Sequence, residues 1–596
     1  MPIGLYLAAE GDEIGRDSPL STHDFRKAAM SFPQGQRLIP RCNPMWKIPA
    51  LTLVVLYSWT LFTPIAQASE ESKTAAPTSP SGIHGMLWIA GGGDFPEPLR
   101  EEFCELAGGP EGHLVVIPTA SAKSDTADSW ESWLTPWQEF SLGSVHVIHI
   151  AQDQGPTDED KEKLARATAV WFSGGQQSRL AERIVGTPWE TSLRSVLDRD
   201  GLIGGTSAGA AIQSKVMIAS GNPEPVISQG LDLIPGAIVD QHFSERERLP
   251  RLKKAVSKHP ACFGVGIDEG TAVLVKGRTL LVVGEGSATM VLAASPSRPE
   301  KIWKLSHGER ADLTALRRMA SNRCLDDFPH GIASAAQVDK GSLIIVGGGG
   351  LPEEITQKFI ELAGGEKGHI VVLPTAAPDP LPPRSGIAQF FERMGAGRVT
   401  VLPQRKRDEV ESKAFLETLQ NATGIWFGGG RQWRFIDAYA GTRAERAFHE
   451  LLARGGVIAG SSAGASIQGE YMPRGNPLGN LDIMSEGYEK GLGFLPGVAI
   501  DQHFTQRSRM KDLESLVAKY PQFLGIGIDE ATAIVVQGAE AQVMGKNDVY
   551  FLHHSPEDSQ EAQAGRLNTI RLPAGSTFDL LNRETLVKGE DAPQAK

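Results

Sequence analysis

The stretch Gly201-Leu202-Ile203-Gly204-Gly205-Thr206-Ser207-Ala208-Gly209-Ala210-Ala211-Ile212 decides how the rest of the chain is read. A short apolar run leads into small residues, and these lead into a helix-compatible segment. Gly205-x-Ser207-x-Gly209 fits a nucleophile elbow, a strained strand-to-helix turn that lifts a serine out of the sheet. Glycine on both flanks avoids a collision between a Cβ and neighbouring backbone. A helix starting at the serine aims its free N–H groups there and favours negative charge. One such match among 66 glycines says little. Here it recurs as Gly460-Ser461-Ser462-Ala463-Gly464.

Outward from the elbow, the chain repeats itself. Gly85–Gly93 answers Gly341–Gly349, and Trp171-Phe172-Ser173-Gly174-Gly175-Gln176-Gln177 answers Trp426-Phe427-Gly428-Gly429-Gly430-Arg431-Gln432. Asp240-Gln241-His242-Phe243 answers Asp501-Gln502-His503-Phe504, and Gly266-Ile267-Asp268-Glu269 answers Gly527-Ile528-Asp529-Glu530. So long a period means duplicated domains. Copy one is expected over residues 85–294 and copy two over 341–581. A connection over 295–340 carries a short helix near Ala311–Ala320, and 582–596 form a tail. Within each copy, short apolar runs such as Leu114–Ile117 and Ala169–Phe172 alternate with amphipathic stretches such as Asp158–Ala165 and Trp189–Asp198. The expected fold is α/β: two tandem domains, each a mostly parallel sheet with helices on both faces. Glycine loops at the strand ends then gather on one sheet edge, where such folds place their sites.

At 596 residues the chain is too long for a single core, and its net charge of −12 with mixed signs argues against a nucleic-acid partner. Residues 1–68 read as an extension plus export signal: Met45-Trp46-Lys47, an apolar run from Ile48 to Ile65, then Ala66-Gln67-Ala68. Secretion or periplasmic export with cleavage after Ala68 is expected, with no stable membrane insertion afterwards. It is preferred to the alternative of a transmembrane anchor because Ser58, Thr60, Thr63 and Pro64 interrupt an apolar run that is about long enough to span. The signal's depth in the chain suggests translation from Met45. Residues 69–84 are a linker. Cys104, Cys262 and Cys324 have neither disulfide-framework nor metal-ligand spacing.

A serine nucleophile needs a base, a group that orients the base, and oxyanion donors. His242 and His503, each after an apolar strand, are the bases. Asp240 or Glu224 is available to orient His242. Oxyanion donors are expected from Ala208 and the Gly174-Gly175 loop, and in copy two from Ala463 and Gly429-Gly430. Arg246, Arg248 and Arg251 follow His242 closely and suggest a reader of carboxylates. The glycine loops at 91–93 and 347–350 do not fit a dinucleotide fingerprint, because the third glycine would fall on Pro96 and Pro352.

Taken together, Gly-Gly-x-Gln, GTSAGAA, DQHF with spaced arginines, and GIDE resemble the cyanophycinase family, whose wider circle includes the aspartyl dipeptidases called peptidase E. The resemblance covers most of both copies. It implies a class I glutamine amidotransferase-like fold and hydrolysis of cyanophycin, a poly-aspartate whose side chains carry arginine, to β-Asp-Arg dipeptides. It implies Ser207 as nucleophile, His242 as base and Glu224 as acid. Gln177, Asp240, Gln241, Arg246, Arg248 and Arg251 fall on substrate positions, as do Gln432, Asp501, Gln502, Arg507 and Arg509 in copy two. Asp240 or Asp268 could receive the substrate's guanidinium. The chemistry asks for no metal and no cofactor, and the partner is a polypeptide.

Copy two departs from the pattern. Its Ser462–His503 spacing is 41 residues against 35 in copy one, Leu478 stands where Glu224 is, and Asp512 replaces the third arginine. Asp482 or Glu486 could supply the acid. Two other readings stand beside the polymer hydrolase. One is an aspartyl dipeptidase; the other is a non-catalytic copy two that binds, or completes an internal pseudo-dimer.

Overall fold

The computed structural model describes residues 82–325, 328–332, 334–382, 385–554 and 567–589. The export signal, most of the 69–84 linker and the end of the tail lie outside them. Copy one is built on an eight-stranded sheet. Its central strand Met86–Ala90 is buried along its whole length. On one side it pairs in parallel with the elbow strand Leu202–Thr206, beyond which Ala169–Phe172, His113–Ile117 and Ser144–Val147 continue in parallel. The inner strands are buried because both faces are covered, whereas the edge strand Ser144–Val147 is only partly buried. On the other side Thr271–Lys276, Thr279–Gly284 and Arg310–Asp312 follow antiparallel.

A smaller sheet, Lys301–Ser306, Ser287–Leu292, Phe263–Ile267 and Ala237–Gln241, packs on one face. Val239, Val265 and Met290 from it share a core with Ile89, Val170 and Ile203 of the main sheet and with helices Gln177–Ile184 and Pro188–Asp198. Half of one expected helical layer is therefore a second sheet. The opposite face is an aromatic layer under helices Glu97–Leu106 and Trp130–Gln138: Trp171 stacks on Phe95 at 4.8 Å and meets Phe103 and Trp137 edge-on at 4.9 and 5.1 Å. Copy two repeats the plan with nine-stranded and five-stranded sheets.

Both copies outrun the boundaries expected from sequence. Strands Lys301–Ser306 and Arg310–Asp312 complete the sheets of copy one beyond residue 294, and Glu584–Val587 extends copy two past 581. The connecting helix spans Leu313–Leu325. Asp312 accepts the amide of Ala315 at 2.8 Å and so caps it. Its Leu313, Leu316 and Ala320 belong to the core of copy one, Ala315 belongs to that of copy two, and Met319 packs against both. The copies are thus joined by shared packing. Arg278 adds to it, binding Asp312 of its own copy and Asp437 and Tyr488 of copy two (2.5, 2.7 and 2.8 Å).

Candidate active site

Ser207 follows the elbow strand and sits at φ 53°, ψ −108°, a left-handed conformation that side chains seldom adopt. A Cβ on Gly205 would lie 2.5 Å from the Gly209 carbonyl carbon and one on Gly209 2.8 Å from the Phe172 carbonyl carbon, so both flanking glycines are sterically required. The serine heads the short helix Ala208–Ala211 and is half-exposed. His242 leaves the end of strand Ala237–Gln241, also with positive φ (47°), its amide donating to the Gly91 carbonyl at 2.6 Å. The Ser207 hydroxyl lies 2.8 Å from His242 Nε2. The expected pairing of serine and histidine is present in space.

The acid differs from expectation. His242 Nδ1 donates to Glu269 Oε1 at 2.5 Å. Glu224 instead lies on the surface, bound to Lys258 and Lys254, whose ammonium groups hold its carboxyl below the usual range. Asp240 does not orient the histidine either, since Arg251 binds it in two-pronged fashion. The reason for Glu269 is topological. Strand Phe263–Ile267 runs parallel beside Ala237–Gln241, with Gln241 opposite Ile267, so the residues just beyond these two ends are neighbours. Sequence carried the signal: His242–Glu269 and His503–Glu530 are both 27 residues apart, while the Glu224 position is not kept.

Copy two builds the same arrangement. Ser462 (φ 55°) lies 3.0 Å from His503 Nε2, and His503 Nδ1 donates to Glu530 at 2.6 Å. Neither Asp482 nor Glu486 is the acid. Glu486 is bound by Arg323 and Lys301 at the boundary with copy one.

The glycine loops that failed as a dinucleotide fingerprint have another use. A Cβ on Gly92 (φ +109°) would lie 2.5 Å from His242 Nε2, and one on Gly93 would lie 2.6 Å from Glu269 Oε2. Gly348 meets His503 in the same way, at 2.5 Å. The loops are bare so that the imidazole and carboxylate can lie on them. Gly174 stands beside the serine, its Cβ direction ending 3.5 Å from the Ser207 Cβ. The amides of Ser173 and Gln176 bond to backbone carbonyls of Ile117 and Ala120, which fixes the Gly174-Gly175 turn between them. Ala208 and Ala463 are the first helical residues after each serine, and Gly174 is the glycine of the loop that stands next to Ser207.

The substrate positions divide. Arg246 is exposed, whereas the Arg248 side chain is largely buried and lies 3.6 Å from Asp240. Arg248 donates to the Gln241 carbonyl and side chain, and burial together with neighbouring Arg251 lowers its pKa to about 10. Arg251 is a correction: it is buried, its guanidinium held by Asp240 and the Gly221 carbonyl, so neither it nor Asp240 presents a free charge. Gln177 is also turned inward, donating to the Ile218 carbonyl at 2.8 Å, as Gln432 does to Pro473. Asp268 accepts from Ser244 and Ser287; burial pushes its pKa up, and these bonds outweigh that and hold it low. In copy two Asp501 keeps a buried cation although the helix arginine is gone. Arg474 supplies it, bridging Asp501 at 3.0 Å and Asp512 at 2.7 Å, with Arg509 also on Asp501 at 3.0 Å. Gln502 is buried, and Arg507 is half-buried. Copy two also has a cavity of about 1130 Å³ beside Gly428 and Gly429, lined by Ile387, Gln389 and Glu392 among others.

The sequence profile of Peptidase family S51 matches residues 86–283 and 343–544. A cyanophycinase of Synechococcus elongatus is 34% identical over 241 residues, 38% of this chain and 74% of its own length. A cyanophycinase of Geminocystis herdmanii (strain PCC 6308) is 32% identical over 260 residues, 41% of this chain and 95% of its own. Among solved structures, a peptidase from an acI-B1 Actinobacterium is 25% identical with a TM-score of 0.31, covering 41% of this chain and 98% of that one.

Proposed function

The chain belongs to peptidase family S51, and from that premise we propose that it hydrolyses cyanophycin to β-Asp-Arg dipeptides at two serine centres, Ser207–His242–Glu269 and Ser462–His503–Glu530. The observation that carries this reading is the serine–histidine–glutamate relay built twice, at 2.8 and 2.5 Å in copy one and 3.0 and 2.6 Å in copy two. A decaying second copy has no reason to keep such geometry.

In the acylation step the serine oxygen attacks the scissile carbonyl while Nε2 takes its proton. The glutamate stabilises the resulting imidazolium through Nδ1–H. Oxygen charge on the tetrahedral intermediate is met by the Ala208 amide and the Gly174-Gly175 turn. The imidazolium then protonates the departing amine, and water, deprotonated by the same nitrogen, releases the acyl group. Arg246, exposed next to the largely buried Arg248, is the guanidinium left to meet a free carboxylate of the substrate.

We read the protein as exported, on the strength of residues 45–68, and the two copies as an internal pair. The test is Ser207→Ala and Ser462→Ala, singly and together, with soluble dipeptide release from purified cyanophycin as readout. Each single variant should keep part of the activity and the double variant none. Unchanged release from Ser207→Ala would remove copy one's centre. Turnover of aspartyl dipeptides but not polymer would favour the dipeptidase reading.

A further inference from the structure

The segment that makes copy two longer runs from Met472 to Phe494, between strands Gly469–Tyr471 and Leu495–Gln502. One end is held by copy one and by the connection that follows it. Arg298 grips Glu489 with two nitrogens at 3.1 and 3.0 Å, Arg323 binds Glu486 at 2.6 Å, and Lys301 reaches Glu486 at 3.3 Å. Burial would raise the Glu486 pKa, and these cations outweigh it and hold it low, so the carboxylate is ionised. Next to them, Tyr488 is 1% exposed and bonds to Asp437, which Arg278 and Arg318 bind at 2.7 and 3.0 Å.

The other end of the segment holds the second centre. Arg431 and Gln432, from the Gly429-Gly430 turn, donate to the carbonyls of Asn476, Gly479 and Pro473 at 2.6, 2.6 and 2.8 Å. Arg474 binds Asp501, two residues before His503. The ends are tied to each other: the Met472 amide donates to Glu489 O at 2.6 Å, and a Cβ on Gly475 would touch the Tyr488 side chain at 2.6 Å. Asp437 lies on helix Trp433–Tyr439, which starts where the turn ends, and Arg278 stacks on its Trp433 at 4.4 Å. In copy one the corresponding hairpin, Val216–Ser220 with Val226–Gln229, has its charged residue Glu224 bound to Lys254 and Lys258 of the same copy.

We propose that Arg278, Arg298 and Arg323 are positioning residues for the Ser462 centre: copy one, by clamping the 472–494 segment and helix Trp433–Tyr439, sets the oxyanion turn and the Asp501–His503 strand end, whereas the Ser207 centre stands without copy two. The inference rests on the reading of Ser462 as a second catalytic serine. A contiguous packed route of this kind transmits displacement because neither end can move alone, and an ångström of misplacement at a reacting group lowers rate by about a hundredfold.

The experiment uses the full chain and a fluorophosphonate, which reacts with activated serines without needing substrate. Peptide mass spectrometry then follows adduct formation at Ser207 and Ser462 in the same molecules. Glu486→Gln, which removes only charge, and Arg323→Met should slow labelling of Ser462 by about tenfold or more and leave Ser207 unchanged. Arg323→Lys should restore most of the rate. Equal slowing at both serines, or at neither, overturns the proposal. If Ser462 fails to react in the unaltered protein while Ser207 reacts, the second centre itself is withdrawn and this inference with it.

Discussion

Replacing Glu269 by Gln removes one charge and almost no volume at the contact that sequence reading had assigned elsewhere. Glu269 Oε1 stands 2.5 Å from His242 Nδ1, and the two delocalised charges are centred about 4 Å apart. At an effective dielectric of about 20 that pair is worth roughly 4 kcal/mol whenever the imidazole is protonated. The carboxylate side chain is 36% exposed, so water screens part of it, and roughly 2–4 kcal/mol is a fair range. Proton transfer from the serine builds positive charge on the imidazole in the transition state. The loss therefore falls on kcat and kcat/KM alike, by about 30-fold to 1000-fold. The assay is initial dipeptide release by Glu269→Gln in a Ser462→Ala background, so that only copy one turns over, with Glu224→Gln as companion. Glu224 should be silent, within about twofold, because it is an exposed residue paired with Lys254 and Lys258 and not with the histidine. Loss of activity in Glu224→Gln with retention in Glu269→Gln would refute the assignment and the relay built on it.

Gly92→Ala should abolish fluorophosphonate labelling of Ser207 while labelling of Ser462 continues, because the new methyl occupies the place of the His242 ring; Gly348→Ala should do the converse. Arg251→Ala should lower stability by about 3–5 kcal/mol in urea titration, since it takes the two-pronged partner from a buried Asp240 and leaves it only the longer contact with Arg248. Arg246→Ala, at an exposed position, should leave stability within about 0.5 kcal/mol and raise KM. A stable Arg251→Ala with only a raised KM would return that residue to the substrate.

Much of this was legible in the chain. The elbow, the duplication and the two histidines follow from local chemistry and from recurrence, because strained turns demand glycine and duplicated sites keep their residues. What escaped was set by strand order. Glu269 reaches His242 from the neighbouring strand, a relation that shows in a sequence only as the constant spacing to Glu530. Likewise the purpose of Gly92 depends on what lies above it, and an arginine three positions along a helix looks the same whether it faces substrate or, as Arg251 does, a buried carboxylate. In copy two the same need is met by Arg474, an exchange between unaligned positions that only three dimensions reveal.

The helix Leu313–Leu325 gives one side to each hydrophobic interior. Melting either half would strip that helix of half its cover and expose apolar surface in the half still folded. Heating should therefore produce a single calorimetric peak for both halves. A chain that melts as one body lets a sound half lend cohesion to a weakened one.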